Sequence, residues 1–126
     1  MRPKFILTFA AIYLALVGIG LLLAPTTTVL GLDPETSPLV IAQLRAMSDV
    51  FIGIAVLNWA ARNAEPSKAL DAIFLGNTVG FTLSVILGAG VALTGSQAVS
   101  WVFTALSLFC AVGFIFVGRT IRSSVA

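Results

Sequence analysis

A chain of 126 residues that is 59% hydrophobic and only 10% charged cannot clothe a water-soluble surface, which ordinarily needs roughly a quarter of its residues charged. A net charge of +2, one cysteine and no histidine exclude intrachain disulfides, dithiol redox motifs and almost every zinc or copper site. The cations form no concentrated basic patch of the kind that binds nucleic acid.

The apolar excess falls in four blocks, Phe5–Ala24, Leu39–Ala61, Ala69–Leu93 and Val99–Gly118. Each is near the ~20 residues that cross a ~30 Å hydrocarbon layer as a helix. The first follows the basic stretch Met1–Lys4 and runs well beyond the ~7–15 residues of a signal-peptide core. It closes on Leu23-Ala24-Pro25 without a small-x-small cleavage site, so it reads as a retained span. The following loop offers two helix starts, Asp33-Pro34 and Ser37-Pro38, each an N-cap acceptor before a proline suited to the first turn. A short surface helix is expected at Pro34, and the second span then runs to Arg62.

Glu65-Pro66-Ser67 makes the next turn, the third span ends at Leu93, and Gly95 suits the position just past a helix C-terminus. Trp59 and Trp101 sit near opposite ends of their spans, as interfacial aromatics do. The expected architecture is all-α: one domain, an antiparallel four-helix transmembrane bundle with short connections.

Orientation follows the cations. Arg2, Lys4, Arg62, Lys68, Arg119 and Arg122 all flank one side of this arrangement, whereas the loops Pro25–Pro38 and Thr94–Ala98 contain no Lys or Arg. Short-loop charge bias therefore predicts both termini in the cytoplasm of a bacterial-type inner membrane.

The seventh cation, Arg45, lies within the second span four residues before Asp49. That spacing puts them on one helix face. A charge at a span centre costs about 2.5–3.5 kcal/mol, against about 0.3–0.6 kcal/mol returned by each large apolar residue. The face is therefore expected to point into the bundle, as an intramembrane ion pair. Counting ~1.5 Å per residue from the outer ends brings Tyr13, Ser84 and Thr104 to similar depths. A polar cluster of Tyr13, Arg45, Asp49, Ser84 and Thr104 is the candidate site. Three roles fit it: a structural pin, an anion, lipid or quinone-like head-group site with Arg45 as donor, or a proton-carrying Asp49.

Two packing features accompany it. Gly76, Gly80, Ser84 and Gly88, with Ala92, recur every fourth residue along the third span, a small-residue ridge suited to close packing in the monomer or to self-association. Ala11, Ala15 and Gly18, and Ala42, Ala46 and Gly53, are shorter echoes. Asn58 and Asn77 stand one to two turns from the cytoplasmic boundary, where their amides can bond between helices. Cys110 has no thiol partner and reads as an apolar filler.

The run Leu44-Arg45-Ala46-Met47-Ser48-Asp49-Val50-Phe51-Ile52-Gly53, after a loop with Gly31 and Pro34, resembles the second span of DoxX-like proteins. These are small four-helix membrane proteins with an Arg opening a glycine-containing second helix, some of them linked to thiosulfate or quinone redox systems. Arg45 and Gly53 match; Ser48 and Asp49 stand where glycines are usual. The resemblance implies the fold and carries no redox role across.

No nucleophile–base set, metal cluster or phosphate loop points to an enzyme, and no cofactor is called for. The expected function is a non-enzymatic binding or accessory protein in contact with the lipid bilayer, docked on a protein partner or forming a homo-oligomer through the third span. The alternative is a small transporter or redox-linked protein using an outer-half cavity around Arg45 and Asp49.

Overall fold

A computed structural model describes residues 2–25, 35, 37–94 and 98–126. Among these residues there are four helices: α1 (Pro3–Leu23), α2 (Pro38–Ala61), α3 (Lys68–Thr94) and α4 (Ala98–Val125). All four are long and apolar enough to cross a membrane. The expected surface helix at Pro34 and the Gly95 terminus lie outside the described residues.

Local chemistry sets the helix ends. Pro3 opens α1, and the Arg2 carbonyl accepts from the Phe5 amide at 3.0 Å; a proline here forfeits no helical hydrogen bond. Ser37 caps α2 as predicted: its Oγ accepts from the Val40 amide at 3.3 Å, with Pro38 in the first helical position. Ser67 does the same for α3, accepting from the Leu70 amide at 3.1 Å. Asp71 adds a carboxylate in that first turn, where the helix dipole favours negative charge.

The fourth helix continues past the expected end of its span at Gly118 to Val125. The extension is amphipathic. Ile121 is buried, while Arg122 is exposed and donates from Nη2 to Asp71 Oδ1 at 3.1 Å. An ion pair this open to solvent contributes at most about 1 kcal/mol, so the buried Ile121 is the stronger anchor.

The chain divides into two compact units, residues 7–60 and residues 61–126 together with 1–6. In the second, α3 and α4 pack along seams of alternating three- and four-residue steps. On α3 the buried positions include Leu70, Phe74, Asn77 and Phe81; on α4 they include Thr104, Ser107, Ala111, Phe114 and Ile121. This is the spacing at which ridges of one helix fill grooves of another at a small crossing angle. Contacts advance along α3 as they retreat along α4: Asp71 meets Arg122, Phe74 meets Phe114 and a Cβ on Gly118, and Gly88 meets Thr104. Phe114 is the hub. It is fully buried, edge-on to Phe74 at 5.1 Å and stacked on Phe81 at 5.8 Å.

In the unit of residues 7–60, the close approach is at Gly18. A Cβ there would lie 2.7 Å from Ile52 Cγ1 and 3.1 Å from the Ile52 backbone nitrogen. With no hydrophobic drive between helices in lipid, such small-residue contact supplies the packing. The inward stripe of α2 is small or polar rather than greasy: Ser48, Ala55 and Asn58 are its buried residues along with Ala61 at the end.

Candidate functional site

On the second span the expected site residues are placed as follows. Arg45 and Asp49 are both exposed on α2, and no ion pair joins them among the described residues. Ser48, which stands between them in sequence but off their shared face, is the buried one. Its hydroxyl donates to the Arg45 carbonyl at 2.5 Å. At 3.6 residues per turn, Asp49 lies well over a quarter-turn from the stripe of Ser48, Ala55 and Asn58, and Arg45 about a quarter-turn from it.

The other members of the predicted cluster are placed as follows. Tyr13 is half-buried on α1. Ser84 is exposed, and its hydroxyl donates to the Gly80 carbonyl at 3.0 Å. Thr104 is buried, with its hydroxyl donating to the Ser100 carbonyl at 2.7 Å. Both hydroxyls thus turn back onto their own helix, a common resting state for Ser and Thr within a span. Asn58 and Asn77 are buried, and the Asn77 amide donates to the Ile73 carbonyl at 2.9 Å. Among the described residues no buried side-chain nitrogen or oxygen lacks a hydrogen-bond partner. Nor does any group of three His, Cys, Asp or Glu side chains converge there.

The ridge on α3 is not one surface. Four-residue steps advance about 40° around a helix of 3.6 residues per turn, so a strict i, i+4 series winds from one face to another. A Cβ on Gly76 or Gly80 would meet nothing within 4 Å, whereas one on Gly88 would lie 2.7 Å from Thr104 Oγ1. Ala92, the last member, is buried. Of the ridge glycines, Gly88 is therefore the one packed against α4. Gly88→Ala should lower the unfolding free energy in mixed micelles by about 1 kcal/mol through overpacking. Gly76→Ala should leave it unchanged or raise it by about 0.4–1 kcal/mol.

A feature missed at the sequence level is the outward face of α2. Ala42, Ala46, Asp49, Gly53, Val56 and Ala60 are all exposed and follow one another in alternating steps of four and three. A Cβ on Gly53 would meet nothing within 4 Å. Only 11% of the most apolar stretch of α2 and 17% of that of α3 are buried, against 39% for α1 and 44% for the α4 stretch. The alternation of steps was the available signal; the shorter echo Ala42, Ala46 and Gly53 contains half of it.

Four helices of membrane-spanning length and composition define a multi-pass, all-helical membrane protein. Neither a protein-family model, nor a curated protein, nor a solved structure matches this chain.

Proposed function

We propose that this chain is a non-enzymatic binding or accessory protein of a bacterial-type inner membrane, an antiparallel four-helix bundle with both termini cytoplasmic, docked on protein through α2. One observation carries the reading: Asp49 stands on an uncovered helix face midway along a candidate span. Counting ~1.5 Å per residue puts its Cα about 16 Å from the Pro38 end and about 18 Å from the Ala61 end of α2. Arg45, nearer the outer end, has a stem long enough to carry its charge toward the interface. The short carboxylate of Asp49 has no such escape, and a charged residue at this depth costs about 2.5–3.5 kcal/mol if acyl chains surround it. A protein partner removes that cost.

The DoxX-like resemblance stays with this proposal at the level of fold. The rival reading, a transport or redox cavity around Arg45 and Asp49, has less support, because Ser84 and Thr104 direct their hydroxyls to backbone carbonyls of their own helices.

The test is extraction of the full chain from its membrane in polymer-bounded lipid discs, without detergent, followed by mass measurement of the particles. The expected result is discs holding this chain together with further protein. Discs that hold a single copy and lipid alone contradict the proposal.

A further inference from the structure

The uncovered face of α2 has the pattern of a helix-pairing seam. Alternating four- and three-residue steps keep Ala42, Ala46, Asp49, Gly53, Val56 and Ala60 on one side of a supercoiled helix, the arrangement by which two helices interlock. Four of the six are Ala or Gly, which permit the close backbone approach that drives helix association in lipid. The seam lies nearly opposite the inward stripe of Ser48, Ala55 and Asn58. One side of α2 is therefore buried, and the other is exposed along the span.

We infer that the occupant of this face is a second copy of the same chain, paired α2 to α2 about a two-fold axis normal to the membrane. The inference rests on the membrane reading above. Charge complementarity selects the partner. Arg45 and Asp49 are opposite charges one turn, about 6 Å, apart along the axis, so the face is neutral as a whole and each charge can meet its opposite diagonally on a second copy. Copies that insert with the same orientation pair in parallel, which brings the two Asp49 carboxylates to one level at the seam centre. Each Arg45 flanks Ala46 one turn above and reaches the partner's Asp49 carboxylate with its long side chain. Two cations and two anions then share one protein-enclosed site, and the mutual repulsion of the carboxylates is relieved by paired guanidiniums. An isologous contact needs no charged group from any other protein.

The experiment uses the full chain in its membrane, with one cysteine added at a time and a short bifunctional thiol reagent. The parent chain gives the background, since its one cysteine, Cys110, is buried. Ala46→Cys and Gly53→Cys should each give a product of twice the chain mass. Met47→Cys and Ile54→Cys, exposed but off the seam, should not. Gly53→Leu, which meets open space in the monomer, should weaken pairing of fluorescently tagged copies in vesicles by roughly tenfold to a hundredfold. Equal cross-linking at all four positions, or unchanged pairing in Gly53→Leu, overturns the seam. Seam cross-links only to a protein of different mass overturn the second copy while leaving the accessory reading intact. No protein adduct at any position, with single copies in vesicles, overturns both.

Discussion

Alanine at Gly18 should destabilise residues 7–60 by about 1–2 kcal/mol, measured by steric-trap unfolding in lipid discs. The added Cβ would sit 2.7 Å from Ile52 Cγ1, which a rotamer change can relieve. It would also lie 3.1 Å from the Ile52 nitrogen and 3.1 Å from Phe51 Cβ, which move only with α2 itself. Overpacking of this kind costs about 1–3 kcal/mol. The gain in helix propensity from Gly to Ala, about 1 kcal/mol in water, offsets part of it. Gly90, whose Cβ would meet nothing within 4 Å, is the control, and Gly90→Ala should not lose stability. Equal behaviour of the two variants would show that α1 and α2 do not approach at Gly18.

Truncation of Phe114 to alanine should cost about 2 kcal/mol, the largest loss expected for a side chain in the α3–α4 pair. In water such a change typically costs about 3–5 kcal/mol, because transfer and cavity terms add. Between helices in a bilayer the transfer term largely vanishes, since lipid tails are as apolar as the protein interior. The cavity remains. At about 24 cal/mol per Å³, a void on the order of 100 Å³ accounts for about 2 kcal/mol. Loss of the ring pairs with Phe74 and Phe81 is contained in that figure. Phe116→Ala is the informative contrast: it lies two residues on in the same helix but is 67% exposed, and it should change stability by less than about 0.5 kcal/mol. The same unfolding assay reads both.

The four helices were legible in the sequence because length and composition alone decide whether a segment can cross a bilayer. Helix starts were legible where capping chemistry is local, as at Ser37 and Pro38. The end of α4 was not, because Arg119 and Arg122 mark where a span stops without stopping the helix. The inward face of α2 was hidden for a deeper reason. In water, apolar periodicity reports what is buried; in lipid both faces of a helix are apolar or small, and the difference vanishes.

Insertion energies bound the cost of leaving Arg45 and Asp49 in acyl chains without specifying which protein covers them. Enclosure within the chain was the simplest inference; Arg45 and Asp49 are exposed on α2. The α3 ridge winds around its helix: a four-residue repeat drifts, so Gly76 and Gly88 do not share a face.

The account stands on Asp49 lying within the bilayer yet shielded by protein. Nitroxide labels placed singly along α2 in membrane-embedded full chain, read for collision with oxygen and with a water-soluble relaxant, test this directly. The account predicts low collision with both agents at Ala42, Ala46 and Gly53, and high oxygen collision at Met47 and Ile54. High oxygen collision at Ala46 and Gly53 would put acyl chains against that face, and high collision with the aqueous agent would put the segment in water; either result contradicts it.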